Sequence, residues 1–221
     1  MTTRTGFGID IGGTGTKGAS VDLDLGTLTS DRTRYDTPQP ATPQALAEIT
    51  RQILEPHDLS GTGTIGVAIP AIVQHGVARS AANIDPSWVD TDVDALFTEH
   101  LGHAVHVVND ADAAGFAEAR YGAAQGQNGV VCVITLGTGI GSALLMDGRL
   151  VPNTEFGHLE LNDMIAEHWA ATSIRKRDQL TWAEWAERLQ VYFTHLERLL
   201  SPDMFIVGGG VSKHADQFLP L

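Results

Sequence analysis

Asp10 stands two residues before a glycine run, Gly12, Gly13, Thr14, Gly15, Thr16 and Lys17, within "GIDIGGTGTKG". Two chemistries fit these letters. Gly13, Gly15 and Gly18 satisfy G-x-G-x-x-G, the turn that seats a dinucleotide pyrophosphate on a helix N-terminus. Read from Asp10, the stretch is D-x-G-G-T-x-x-K, an acid beside backbone N–H groups that no side chain shields from phosphate oxygens. The next residues bear on the choice. "TKGASVDLDLGTL" alternates small or apolar residues with polar ones and lacks a helical stripe, so it reads as a second strand. A dinucleotide turn must open a helix, whereas this one opens a hairpin. Asp31 and Asp36, the acids near ribose-binding distance, sit in a polar segment without a clear strand end. A Walker A loop is disfavoured, because Thr16 precedes Lys17 and no Ser or Thr follows it.

The pattern recurs in "VVCVITLGTGIGSALLMDGRL", where Gly137, Thr138 and Gly139 lie between two apolar strands. Two such hairpins offer phosphate-binding amides; Thr14, Thr16 and Thr138 add hydroxyl donors and Lys17 a positive charge. A carboxylate at an anion site needs a cation, so Asp10 points to Mg²⁺, held through water. The plainer alternative is a pair of tight turns that use glycine for positive φ, with Asp10 merely exposed.

Further candidates follow along the chain. Asn109-Asp110 ends an apolar strand, the place where ligands bind in open α/β sheets. Asp110 can act as a general base while Asn109 fixes an alcohol, or Asp110 can simply cap the next helix. Glu155 and His158, in "TEFGHLEL", are acceptors suited to vicinal sugar hydroxyls, or are ordinary surface residues. Zinc is not expected, since no further ligands stand at suitable spacing. Cys132 lies in an apolar run and reads as a buried bystander. "SIRKRD", with Arg175, Lys176 and Arg177, is either a solvated helix face or a guide for a long polyanion.

These groups need elements to hold them. The pattern predicts strands over 6–11, from the first glycine turn, and over 28–35. A helix capped by Thr42 runs from Pro43 to 54. Then come a strand ending at Pro70, a short strand in "GVARSA", a loop at "NIDPSWVD", a helix over 91–101, the strand "AVHVVND" and a helix over 111–124. After the second hairpin, closed by Asp147-Gly148, a helical region starts near Met164 and a long helix covers 181–200. Trp182, Trp185, Leu189, Phe193, Leu196 and Leu200 recur along it at helical spacing and read as a core stripe. The strand "MFIVGGG" and a last helical stretch finish the chain. The repeated hairpin implies two similar lobes, 1–109 and 110–221.

Bulk properties exclude several classes. A formal charge of −13 over 221 residues argues against nucleic acid or an anionic membrane as partner. An anionic substrate must then be held by a local arrangement. No apolar run approaches the roughly 20 residues needed to span a bilayer, and "MTTRTGFGID" has no signal-peptide core. A cytoplasmic location is expected.

Together "DIGGTGTKG", "NDADAAGFAEARYG", "LGTGIGSAL", "NTEFGHLEL" and "FIVGGGVS" resemble, in order, the ROK-family sugar kinases of the actin-like ATPase superfamily. "PATPQALA", "ANIDPSW" and the run from "TWAEWAERLQ" to "HADQFLP" are similar to the polyphosphate-using glucokinases within it. The resemblance implies a two-lobed ribonuclease H-like α/β fold, each lobe a mixed sheet with flanking helices, with the active site in the cleft between lobes. It implies phosphoryl transfer from polyphosphate, or ATP, to the 6-hydroxyl of glucose, with Mg²⁺, in a homodimer. A strictly ATP-dependent hexose kinase and a non-catalytic sugar binder are the alternatives. By position Asp110 would be the base, and Asn83, Asn109, Glu155, His158 and Glu167 would hold the sugar. Gly12, Gly13, Thr14, Gly15, Thr16, Lys17, Gly137, Thr138, Gly139 and Gly209 would meet the donor. The cysteine-rich zinc motif common in the family is missing, which leaves His158 for sugar. The chain also ends soon after "SKHADQFLP", where the family pattern continues through another strand and a closing helix.

Overall fold

Apolar residues alternate along β1 (Thr5–Ile11) and turn Phe7, Ile9 and Ile11 to one side, where they are buried. The computed structural model describes residues 4–81, 84–161 and 163–221. The chain divides into two units, Met1–Ala113 and Ala114–Leu221.

In the first unit β1 pairs antiparallel with β2 (Gly15–Asp22). β2 is followed by β3 (Thr27–Leu28), β4 (Thr33–Asp36) and α1 (Pro43–Leu54). Then come β5 (Ile65–Ile69), the small β6 (Val73–Gln74) and β7 (Val77–Ala78) pair, α2 (Val93–Leu101) and β8 (Val105–Asn109). The sheet order is β3-β2-β1-β5-β8, with β1, β5 and β8 parallel and β4 also on β2. Leu46 and Ile53 of α1 and Phe97 of α2 bury the face carrying Phe7, Val67 and Val107. Each such side chain contributes about 1.5–3 kcal/mol through removal from water. The opposite face is built from small residues, Gly8, Gly66 and Ala68, and lines an open groove of about 400 Å³ beside Asp10 and Lys17.

The helix caps follow the sequence. Thr42 Oγ1 accepts from Ala45 N at 3.2 Å with Pro43 in the first turn. Asp92 Oδ1 accepts from Ala95 N at 2.9 Å, so α2 begins at Val93 and not at residue 91. The strand expected over 28–35 is two pieces. Ser30 Oγ takes the Ser20 amide at 3.0 Å, which ends the β2–β3 ladder, and the chain rejoins β2 only at Thr33. Within "NIDPSWVD", a 3₁₀ turn over Pro86–Trp88 buries Trp88, whose Nε1 donates to Ala41 O at 2.7 Å.

The division between units falls within α3 (Asp110–Tyr121). In the second unit β9 (Val130–Leu136), β10 (Ile140–Met146), β11 (Arg149–Val151) and β14 (Met204–Gly208) form a sheet of order β11-β10-β9-β14. β9 is antiparallel to β10 and parallel to β14. β9 is buried on both faces, which explains its unbroken apolar sequence. Cys132, Ile134 and Leu136 meet Trp185, Leu189 and Leu196 of α6 (Trp182–Leu200), members of the expected core stripe, together with Tyr192, which that stripe does not include. Trp182, Phe193 and Leu200 are only partly buried. Thr181 and Glu184 form a reciprocal capping box at the start of α6. Asp147 and Gly148, at φ 51° and 72°, form the tight turn that joins β10 to β11. The helical region expected from Met164 starts later. β12 (Glu160–Leu161) pairs with β13 (Met164–Ile165), and only then do α4 (Glu167–Ala170) and α5 (Thr172–Arg177) follow. The final stretch, Ser212–Gln217, is 3₁₀.

Candidate active site

In the first unit, Ile11 pairs with Thr16, which leaves residues 12–15 as the hairpin loop, closed by Gly12 N donating to Gly15 O at 3.1 Å. Gly13 and Thr14 are exposed at its tip. Gly12 and Gly15 do not use positive φ. The glycine at 15 instead leaves room for the Arg34 guanidinium, which a Cβ there would meet at 2.6 Å. That guanidinium, on β4, donates to Thr14 O at 3.3 Å and to Asp36 at 2.9 Å. Thr16 is fully buried and shares a 3.3 Å hydroxyl contact with Thr37, whose own hydroxyl donates to Gly12 O at 2.5 Å. Asp10 and Lys17 face each other across β1 and β2 and form a half-exposed ion pair of 2.9 Å.

At the end of β8, Asn109 is the residue that caps α3. Its Oδ1 accepts from Ala111 N at 2.9 Å and Asp112 N at 3.1 Å, while its Nδ2 donates to Ala71 O at 3.2 Å. Asp110 is exposed in the first turn and accepts from the Ala111 amide at 2.8 Å. The protein around its carboxyl disfavours the charged form, and the Asp10 and Asp112 carboxylates add repulsion; these outweigh the Ala111 hydrogen bond, so the Asp110 pKa is raised. A carboxylate with raised proton affinity at a strand end fits a base.

In the second unit Leu136 pairs with Ile140, leaving residues 137–139 as the loop, closed by Gly137 N to Gly139 O at 3.0 Å. Gly137 and Thr138 are exposed. Ser173, at the start of α5, binds this loop twice. Its amide donates to Gly137 O at 3.1 Å and its hydroxyl to Thr138 O at 2.5 Å. The basic cluster follows Ser173 on α5. Arg175 lies 3.5 Å from the Trp182 ring centroid, Arg177 pairs with Asp178 at 2.7 Å, and Lys176 is exposed. At the end of β14, Gly209 has φ 87°, and a Cβ would stand 2.4 Å from Leu136 O, so only glycine fits.

The sugar-side candidates of this unit are brought together. Ser142 Oγ donates to Thr154 O at 2.7 Å and accepts from Phe156 N at 2.9 Å, which fixes the segment bearing Glu155 and His158. Gly157 lies so close to Ile140 that a Cβ would be 2.1 Å from its carbonyl oxygen. His158 Nδ1 is 3.7 Å from Glu155 Oε2, and Nε2 is 3.5 Å from Glu167 Oε1. Below them, Cys132 is buried and its thiol is pushed up to about 12 by desolvation, which makes it inert. Tyr192 is likewise raised by burial, then by the nearby Cys132 and Glu167 charges. Asn83 lies outside the described residues. Sequence reading passed over Arg34, Thr37, Ser142 and Ser173, which act through strand pairing and loop docking and carry no motif of their own. Among the described residues no group of three or more His, Cys, Asp or Glu is placed to hold a metal.

Comparison with known proteins shows the family and the fold. A profile of the ROK family matches residues 6–168. A polyphosphate glucokinase from Mycobacterium tuberculosis is 47% identical over 221 residues, all of this chain and 83% of that protein. One from Mycobacterium leprae is 45% identical over 217 residues, 98% of this chain and 66% of that protein. The crystal structure of an inorganic polyphosphate/ATP-glucomannokinase from Arthrobacter sp. strain KM is 54% identical, with a TM-score of 0.92, covering 98% of this chain and 88% of that one. A ROK-family glucokinase from Streptomyces griseus, solved with glucose and AMPPNP, is 24% identical with a TM-score of 0.83 over 98% of this chain and 86% of its own, and shares the fold. The chain belongs to the ROK family, with the actin-like ATPase fold of its sugar kinases.

Proposed function

We propose that this protein is a glucokinase that transfers a phosphoryl group from inorganic polyphosphate, or ATP, to the 6-hydroxyl of glucose. The observation that carries this reading is similarity over the whole chain to proteins named polyphosphate glucokinase. The residue chemistry agrees. Asp110, with its raised proton affinity, takes the hydroxyl proton as the sugar oxygen bonds to phosphorus and the bond to the donor oxygen breaks. Asn109 orients that base by holding the first turn of α3, and its remaining amide hydrogen is available to the sugar. Asn83, Glu155, His158 and Glu167 bind the sugar hydroxyls. The loop amides at Gly13, Thr14, Gly15, Thr138 and Gly139, with Lys17 and Gly209, take donor phosphates, while Gly12 and Gly137, whose amides close the two loops, shape them. Thr16 supports the first loop from inside. Both glycine hairpins serve the one reaction.

Mg²⁺ fits Asp10. This ion binds through one or two carboxylates plus substrate phosphates and needs no larger protein cage. The Asp10–Lys17 pair is half exposed and therefore weakly held. When bound, Mg²⁺ neutralises phosphate charge. The reading also includes a cytoplasmic homodimer, as the family resemblance implies. Polyphosphate is favoured as donor by the names of the relatives, and the Arg175, Lys176 and Arg177 cluster, in the helix whose Ser173 binds the second loop, is a local cation source in a chain of charge −13.

The test is a glucose 6-phosphate assay with Mg²⁺ and either donor. Formation with polyphosphate is expected. Formation with ATP alone would overturn the donor assignment, and formation with neither would overturn the enzyme reading.

A further inference from the structure

One carboxylate touches both functional ends of the second unit. Glu167 Oε2 accepts from the backbone N–H of Ile140 at 3.3 Å, in the first residue after the second glycine loop. The same oxygen stands 2.3 Å from where a Cβ at Gly139 would lie, so this loop glycine makes room for the carboxylate. Its other oxygen, Oε1, is 3.5 Å from His158 Nε2 and 3.8 Å from His168 Nε2. The side chain is only 20% exposed, which confines it to this position. His158 in turn stands 3.7 Å from Glu155.

We propose that Glu167 is a positioning residue that couples sugar binding to donor binding at the second hairpin. The inference rests on the kinase reading above. A carboxylate at the Ile140 amide, one residue beyond the loop and against Gly139, opposes a phosphate at the loop amides by like charge. A sugar hydroxyl that donates to Glu167 spreads that charge away from the loop and turns the carboxylate toward the sugar. Sugar binding therefore tightens donor binding, and linkage requires that the donor tighten sugar binding by the same factor. The same contact suppresses transfer of the donor phosphoryl group to water when no sugar hydroxyl holds Glu167.

The experiment is a calorimetric titration of the full chain with polyphosphate, with Mg²⁺, at several fixed glucose concentrations, alongside steady-state donor KM and phosphate release without glucose. For the wild type, saturating glucose is expected to tighten polyphosphate binding by about five-fold or more. Glu167→Gln keeps the shape and removes the charge. It is expected to make donor affinity independent of glucose to within about two-fold and to raise glucose-independent phosphate release. Gly139→Ala supplies a second route, since its Cβ displaces the Glu167 carboxylate without requiring a new φ. It should lose the same coupling while Glu167 remains present. If either folded variant raises glucose KM yet keeps the wild-type response of donor affinity to glucose, Glu167 is a sugar ligand only and the proposal fails. A wild type that makes glucose 6-phosphate with glucose-independent donor binding also defeats it. A wild type that makes no glucose 6-phosphate from either donor overturns the kinase reading, and this inference with it.

Discussion

The two glycine hairpins look alike in sequence and are furnished differently in structure. The first carries its own charges: Asp10 and Lys17 are cross-strand partners on its arms. The corresponding arms of the second pair Thr135 with Gly141 and carry no charge. Its polar groups come from far along the chain, with Glu167 at the Ile140 amide and Ser173 at the Gly137 and Thr138 carbonyls. A sequence repeat can therefore preserve a backbone device while the chemistry around it diverges. The charges on the arms serve one copy alongside Arg34 and Thr37, 20 and 25 positions from their partners, while the other depends on residues 27 and 35 positions away.

Five substitutions break or sharpen that contrast. The largest effect belongs to Asp110→Asn, which removes the proposed base yet leaves the Asn109 cap intact. It should lower kcat by about 10²–10⁴-fold while tryptophan fluorescence still reports glucose binding. Because the Asp110 pKa is raised in the folded chain, its charged form opposes folding. Its favourable contribution is present below the ordinary value of 3.8 and is lost as pH rises through the raised value. The variant should therefore gain thermal stability at pH 7 relative to the wild type, as melting curves at pH 3 and pH 7 would reveal.

Next, Gly157→Ala pushes against the Ile140 backbone, which cannot rotate away as a side chain can. It should cost about 1–3 kcal/mol in urea unfolding, whereas Gly15→Ala, which meets only the mobile end of Arg34, should cost less. Equal losses would mean that the second hairpin is no more constrained than the first. Lys17→Ala should change stability by less than about 1 kcal/mol, since its ion pair is half exposed, while raising donor KM and weakening its salt dependence. An unchanged donor KM would remove Lys17 from donor binding. The smallest effect is a pH shift. Asp10→Asn deletes one charge that raises Asp110, so the acid limb of kcat/KM should move to lower pH, by less than about one unit. Movement to higher pH would contradict the repulsion between these carboxylates.

Much of this was legible in the residues because it depends on neighbours in sequence. Thr42, Thr181 with Glu184, and Asp147-Gly148 act within three positions of themselves, and each marks its element boundary as read. The apolar period of α6 and the unbroken run of β9 likewise reveal which surfaces are buried. Where a side chain replaced a backbone bond, the reading slipped. Ser30 cut one expected strand in two, and the β12–β13 pair delayed an expected helix. Asn109-Asp110 shows the same limit at the site, for the residues suggest Asp110 as the cap and the hydrogen bonds give that role to Asn109.

The order of motifs by itself determined the family and hence the chemistry, because glycine turns, capping residues and strand-end acids act through short-range backbone geometry. The tertiary structure decided which distant groups serve each hairpin: Arg34 and Thr37 at the first, Glu167 and Ser173 at the second. Those contacts are set by strand pairing and by the seating of α4 and α5. Both depend on packing across many residues, for which no local pattern in the chain is a sufficient cause.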